Sequence, residues 1–480
     1  MERSTPPVYD KIYINGEWVS PVTSEITDLI NPATGEVSGR AVRGNVEDVE
    51  RAVKAAREAF KTFSQTTIKE RIQLLKTFAA EYDKRIEQVK KAVTLDIGSP
   101  VSFCNIMHGP AGLVAINNSI EALNQIEFEK SQGQTLIVRE AIGVAALISA
   151  WNWPAMMVCS KISSALAAGC TIVFKPAELA THTAILIAEI LDAAGLPKGV
   201  FNMVLGKGSV VGDAMTCHPE VDYISFTGSE GVGAKIARNA ADTAKRTSLE
   251  LGGKSAFIVL PNVDIEQVAQ MAVMAIMPNS GQMCGAGSRT LVPADIQEAF
   301  VTAMKAVVKN LKVGDPAGDA DLGPVVSGKQ WLTIQKYIES GIDEGAQLII
   351  GGTGKTDGFE NGFFVKPTIF ANVTNEMKIA REEIFGPVAS VIPYDTVEEA
   401  IEIANDSPYG LAGYVFGPDH QQANEVARQL RTGYVSVNTI NFDLKAPWGG
   451  YKTSGVGREN GVWGVEEMLE IKAINNFTPV

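Results

Sequence analysis

Residues 223–240 read YISFTGSEGVGAKIARNA. The apolar run YISFT predicts a strand that ends at Gly228, with Ser229 at the turn and Gly231 and Gly233 opening a helix. The same rhythm extends in both directions. From 143 to 260, the runs GVAALIS, CTIVFK, FNMVL, YISFTG and SAFIVL alternate with helical patterns such as HTAILIAEILDAAG and SVVGDAMTCHP. Such alternation predicts crossover units and a largely parallel sheet, an α/β class. Upstream, residues 45–93 carry apolar residues at three- and four-residue spacing and read as helices. Downstream, IEQVAQMAVMAIM, IQEAFVTAMKAVVKNL and GKQWLTIQKYIESGIDEGA, with strands SVIPYD and GYVSVN, predict a second α/β domain beginning near Lys254. GQTLIVREAIG (133–143) and EIKAINNF (470–477) are strand-like but fit neither rhythm, and edge strands of this kind need a cover.

A chain of 480 residues exceeds what one hydrophobic core usually serves. With 42 basic against 55 acidic residues, a net charge of −13 and no basic run, a nucleic-acid ligand is not expected. The five cysteines are widely spaced without a CxxC, which argues against a disulfide framework and a metal site and for a reducing, cytoplasmic setting. The N-terminus has charges and prolines where a signal peptide needs an apolar run. Residues 141–160, AIGVAALISAWNWPAMMVCS, imitate a membrane span. Asn152 and Pro154 near the centre favour a buried strand, a tight loop and a buried helix instead, so no membrane partner is expected.

GKGSVVG (206–212) invites a dinucleotide reading, but its GxGxxxG spacing is one residue longer than the usual fingerprint. The turn at Gly228–Gly233 is better placed, since helix N-termini present free N–H groups to a phosphate. Ser229 is equally well read there as a helix cap. In SGQMCGAGSR (280–289), Cys284 is framed by glycines that permit close backbone approach, although a free cysteine is more often a small core residue. A reactive thiol needs a base. None of the four histidines, His108, His182, His218 and His420, lies in a comparable setting. Glu250 in SLELGGKS, Glu383 in REEIFGPV and Glu178 in KPAEL are carboxylate candidates, each also readable as a structural ion pair or helix-start residue.

Together SAWNWP, FKPAEL, FTGSEGVG, LELGGKS, GQMCGAGSR, EEIFGPV and PWGGYKTSGVGRENG, in this order and spacing, resemble the aldehyde dehydrogenase superfamily over nearly the whole chain. The resemblance implies a Rossmann-like NAD-binding domain (1–124 and 143–253), an α/β catalytic domain (254–445) and a small β oligomerisation arm (125–142 and 465–480). It implies Cys284 as nucleophile, Glu250 as general base and Asn152 as oxyanion donor, with no metal. It implies cofactor contacts from Ser149, Trp151, Lys175, Glu178, Gly208, Gly228, Ser229, Gly233, Leu251, Gln330, Glu383 and Phe385. NAD is expected over NADP, because Glu178 would meet the adenosine ribose. The expected partners are a small aldehyde and further copies of the chain, as a dimer or tetramer. Gly285 is expected to leave room beside the thiol, with Phe442 and Trp448 as flat pocket walls. This suits an aromatic or medium-sized aldehyde, with a semialdehyde held by Lys445 as the remaining option. A coenzyme-A-acylating relative and a non-catalytic relative are the alternatives; the presence of Glu250 counts against the first.

Overall fold

The strand Tyr223–Thr227 pairs in parallel with Val144–Ile148 on one side and Arg246–Glu250 on the other, inside an eight-stranded sheet. This is a computed structural model that describes residues 5–478. Residues 1–4 and 479–480, at the ends of the expected cofactor-domain and arm segments, lie outside the described residues. Across the sheet the order is Gly455–Val456, Arg246–Glu250, Tyr223–Thr227, Val144–Ile148, Thr171–Lys175, Phe201–Met203, Ile12–Ile14, Glu17–Val19. From Phe201–Met203 to Arg246–Glu250 all pairs are parallel, and the flanking pairs are antiparallel. Chain order reverses direction at Val144–Ile148, so a crevice opens between that strand and Tyr223–Thr227 at their C-terminal ends.

Val144–Ile148 and Thr171–Lys175 are buried along their whole length, which explains their unbroken apolar reading. The stretch that imitates a membrane span divides into the strand Val144–Ile148, a loop and the helix Pro154–Ala168. Pro154 sits in the first turn, where a missing N–H costs nothing, and Gly169 (φ +88°) closes the helix in the left-handed conformation. Among the described residues no helix is long and apolar enough to cross a membrane.

A second sheet has seven strands, ordered Gln347–Ile350, Thr368–Ala371, Val388–Tyr394, Arg289–Pro293, Ala256–Val259, Ala412–Phe416, Tyr434–Val437. All its pairs are parallel except the first, which carries a bulge. Arg289 is buried there and donates to the carbonyls of Lys254, Ile403 and Ala404 and to Asn375 Oδ1, all at 2.9–3.0 Å. The expected α/β architecture is thus observed. The two unexplained segments find each other: Leu469–Ile474 pairs antiparallel with Thr135–Ala141, and Glu129–Gln132 completes a three-stranded arm.

Candidate active site

The loop after Val144–Ile148 carries Ser149, Trp151 and Asn152 into the crevice, with Ser149 and Asn152 buried. Asn152 Nδ2 donates to the Gln282 carbonyl at 3.1 Å, and Asn279 Nδ2 donates to the Asn152 carbonyl at 2.9 Å. Asn152 is therefore stitched to the segment that carries Cys284. That segment is tightly bent: Asn279 (φ +53°), Ser280 (φ +55°) and Gly281 (φ +73°) occupy the left-handed region in succession. For the two non-glycine residues this costs free energy, which surrounding contacts must offset. Ser280 Oγ donates to Gly323 O at 2.8 Å, and Gln282 accepts from Val326 N at 2.8 Å while donating to Asn279 O at 3.0 Å. At Gly281 a Cβ would lie 2.1 Å from the Gly386 carbonyl, so only glycine fits.

Cys284 is partly exposed, unlike the buried Cys104, Cys159 and Cys170. Desolvation pushes its thiol up to about 12; the Glu383 and Glu250 carboxylates add to the rise, while the N–H groups of Gly285 and Cys284 oppose it. Glu250 ends the strand Arg246–Glu250 and is buried, and neither carboxyl oxygen has a hydrogen-bond partner among the described residues. Desolvation, then the charge of Glu459, raises its carboxyl well above the usual range, while Lys161 and Arg458 oppose. Lys161 lies behind it on the buried helix, bonded to Glu459 and, at 2.7 Å, to Ser225 Oγ. Sequence alone does not single out Lys161 and Glu459; a lone lysine in the apolar helix PAMMVCSKISSALAA is the available signal.

The other expected residues fall around the same crevice. Lys175 is buried at a strand end, its Nζ 2.8 Å from Pro176 O; burial lowers the ammonium to about 8, with the Glu178 charge opposing. Ser229 precedes the helix Glu230–Ala241 but makes no side-chain cap bond, which removes the cap reading. Gly228 N donates to Glu250 O at 3.0 Å. Leu251 packs on Gly233, where a Cβ would lie 2.6 Å from its Cδ2. Gly208 begins a single wide turn, Gly208–Gly212, and a Cβ at Gly208 or Gly231 would meet nothing within 4 Å. Gln330 Nε2 donates to the Ile384 and Phe385 carbonyls at 3.2 and 3.0 Å, so its amide holds the loop that carries Glu383 and Phe385. Phe385 (φ +56°) sets its ring edge-on to Trp151 at 5.4 Å.

Gly285 corrects one expectation. It does not leave free room: a Cβ there would lie 3.0 Å from Trp448 and 3.3 Å from Phe442. Glycine instead lets both rings close on the backbone beside the thiol. Phe442, Trp448 and Tyr434 form a cluster with centroids 5.4–5.7 Å apart. Lys445 is exposed, and its ammonium pairs with Glu121 at 2.8 Å. In sequence His108 reads only as the neighbour of a Gly-Pro turn, yet it is buried with its ring 4.6 Å from that of Trp153. Its Nε2 lies 3.4 Å from Asn279 Oδ1, one step from Asn152, and burial lowers the imidazole to about 4. Only tertiary contact brings it there. Among the described residues no group of three or more His, Cys, Asp or Glu side chains is placed to hold a metal ion.

Comparison with known proteins gives this arrangement its relatives. The family model described as the aldehyde dehydrogenase family matches residues 18–474. A Staphylococcus saprophyticus protein, provisionally named an aldehyde dehydrogenase, is 47% identical over 470 residues, covering 98% of this chain and 99% of its own. The crystal structure of a cysteine-to-alanine variant of Pseudomonas syringae aldehyde dehydrogenase C, with NAD+ and octanal, superimposes with a TM-score of 0.97 at 43% identity, covering 98% of this chain and 97% of that one. A Mycobacterium tuberculosis aldehyde dehydrogenase in complex with NAD+ gives 0.95 at 41% identity, covering 98% and 99%. With its sequence motifs, two sheets and crevice in accord with these relatives, the chain belongs to the aldehyde dehydrogenase family of oxidoreductases.

Proposed function

We propose that the chain oxidises an aldehyde to a carboxylic acid with NAD, using Cys284 as nucleophile, Glu250 as general base and Asn152 as oxyanion donor. The observation that carries this reading is the buried Glu250 carboxyl, unpartnered at both oxygens and close enough for its charge to act on the thiol of Cys284. A structural ion pair would have bound those oxygens. The solved relatives named above hold NAD+, and the residues here fit that group. Ser229 keeps its hydroxyl free of capping, Gly208 and Gly231 face open space, and Lys175 and Glu178 stand at the strand end where an adenosine ribose would lie. Gly228, Gly233 and Leu251 shape the pyrophosphate turn, Ser149 and Trp151 line it, and Gln330, Glu383 and Phe385 form the nicotinamide side. When bound, NAD supplies the acceptor for the hydride lost by the aldehyde carbon.

The chain's own groups do the rest. Cys284 Sγ attacks the carbonyl carbon, and the Asn152 amide with the Cys284 N–H stabilises the oxygen as negative charge develops. Because the resting thiol is held high, it gives its proton to solvent water before the attack, which leaves Glu250 free for the later step. After oxidation leaves a thioester, Glu250 takes a proton from water, the hydroxide adds to the acyl carbon, and the Cys284–acyl bond breaks to release the acid. The substrate we infer is an uncharged aldehyde of moderate size, aromatic or aliphatic, lying against Phe442 and Trp448 at Gly285. Residues 1–124 and 143–253 are read as the cofactor domain, 254–445 as the catalytic domain, and the arm 125–142 with 465–480 as the contact between copies.

The test is transient kinetics with an aldehyde panel and NAD. Cys284→Ala should bind NAD but form no NADH, and Glu250→Gln should give a burst of NADH followed by slow turnover. Turnover by Cys284→Ala above a few per cent of the unmodified rate, a loss of less than about 2 kcal/mol in barrier, would remove the thiol from this role.

A further inference from the structure

His108 stands outside the groups that the proposed chemistry uses, yet it touches both segments that bring Asn152 and Cys284 together. It closes the wide turn Cys104–His108, a backbone form that recurs beside functional sites. Its imidazole is fully buried, with the Trp153 ring 4.6 Å away and the Phe103 ring edge-on at 5.5 Å. Trp153 directly follows Asn152. From the same imidazole, Nε2 reaches Asn279 Oδ1 at 3.4 Å.

The orientation of the Asn279 amide decides where the His108 proton sits. Asn279 Nδ2 donates to the carbonyls of Asn152 at 2.9 Å and Gln282 at 3.4 Å, so Oδ1 faces the ring and only accepts. His108 Nε2 therefore carries the proton and donates. Nδ1 stays bare, buried without a hydrogen-bond partner among the described residues. Burial disfavours the imidazolium and keeps the ring neutral near pH 7.

We propose that His108 is a positioning residue for the oxyanion donor, holding the Asn279 amide so that it fixes the Asn152 loop against the Cys284 segment; this rests on the role proposed above for Asn152. Asn279 occupies a strained backbone conformation at φ +53°, so its place depends on the partners of its side chain. Without the His108 donor, Oδ1 would be a buried acceptor left unpaired. Turning the amide over would then face Oδ1 to the Asn152 carbonyl, where two acceptors repel. Asn152 would lose its clamp, and an oxyanion donor works only when held at the position where charge develops.

The test is single-turnover NADH formation by the full chain with acetaldehyde and NAD. His108→Phe keeps an aromatic ring beside Trp153 and removes the donor. It should slow the NADH burst about tenfold and leave NAD affinity within about twofold. His108→Gln, whose amide can place a donor where Nε2 stands, should recover most of that loss. In an Asn152→Ala chain, His108→Phe should change the remaining burst by less than about twofold, because the group it positions is gone. A purely structural role would cost the same in both backgrounds. The proposal is overturned by an undiminished burst in His108→Phe, by a loss that persists in full without the Asn152 amide, or by failure of His108→Gln to restore the rate. Should His108→Phe not fold, nitrogen NMR of the unmodified chain, which has four histidines, decides: a proton on Nε2 of the buried ring supports the assignment, and a proton on Nδ1 overturns it. An undiminished burst in Asn152→Ala alone would sink the oxyanion reading and this proposal with it.

Discussion

The Glu383 carboxylate accepts a hydrogen bond from the Gly253 N–H at 2.9 Å, and a Cβ at Gly252 would lie 2.7 Å from its other oxygen. The glycine pair after Glu250 thus serves two close approaches, because a Cβ at Gly253 would lie 2.6 Å from the Cys284 carbonyl. Burial raises Glu383 to about 7, against the opposing Gly253 bond and Lys254 charge.

Because ionised Glu383 adds to the rise of the Cys284 thiol, Glu383→Gln should lower the thiol's pKa. More of the thiol is then thiolate at a given pH, and the thiolate is the reactive form. Alkylation by iodoacetamide at pH 8 should be faster by a few-fold. Unchanged or slower alkylation would show that this carboxylate does not govern the thiol.

Glu459 is the largest charge raising Glu250, and Lys161 is the largest opposing it. A base held high is protonated at low pH, so thioester hydrolysis should rise with pH as Glu250 loses its proton. Glu459→Gln removes the repelling charge and leaves the Lys161 ammonium in place. The acid limb of the kcat profile should therefore move to lower pH, and a move to higher pH would reverse the assignment. The neutral Glu250 carboxyl also favours the folded state over its ionised form. That contribution is present below the unfolded pKa and lost as pH rises through the folded one, a fall that Glu250→Gln should abolish in thermal melts.

Gly285→Ala should push the Trp448 and Phe442 rings apart, since its Cβ would lie 3.0 and 3.3 Å from them. Rates with bulky aldehydes should drop several-fold more than with acetaldehyde. Trp448→Ala in the same chain should restore part of the loss, because overpacking costs about 1–3 kcal/mol that an open neighbour relieves. If Gly285→Ala alone favours bulky aldehydes, the rings are not the walls.

Removal of residues 470–480 should cause dissociation or aggregation seen by light scattering. Ile471 (67% exposed), Ile474 and Phe477 lie open on or beside the arm strand, as a surface between copies would. A truncated chain that keeps the mass and activity of the intact one would remove the arm from assembly.

The parallel strands are legible in sequence because burial on both faces gives unbroken apolar runs, as in VAALI and TIVFK. The edges are not. Ile12–Ile14 and Gly455–Val456 are short and join the sheet antiparallel from distant parts of the chain. Cys284, Glu250 and Asn152 stand out through motif resemblance, whereas Lys161, Glu459 and His108 meet partners far away in sequence. The Lys161–Glu459 contact spans 298 positions, which no local pattern encodes. The mistaken reading of Gly285 has a related cause. A glycine in sequence indicates missing volume but not which neighbour fills it.

The strand that ends in Glu250 has its outer edge zipped by residues near the end of the chain. Leu249 and Glu250 pair with Val456 and Gly455, Leu251 N donates to Ser454 O at 3.0 Å, and Ser454 Oγ donates to Gly252 O at 2.7 Å. Until those residues emerge during synthesis, the strand Arg246–Glu250 has an unpaired edge, so this side of the sheet closes only when nearly the whole chain is made. A chain shortened ahead of Ser454 would leave that edge unpaired and open to a strand of another molecule.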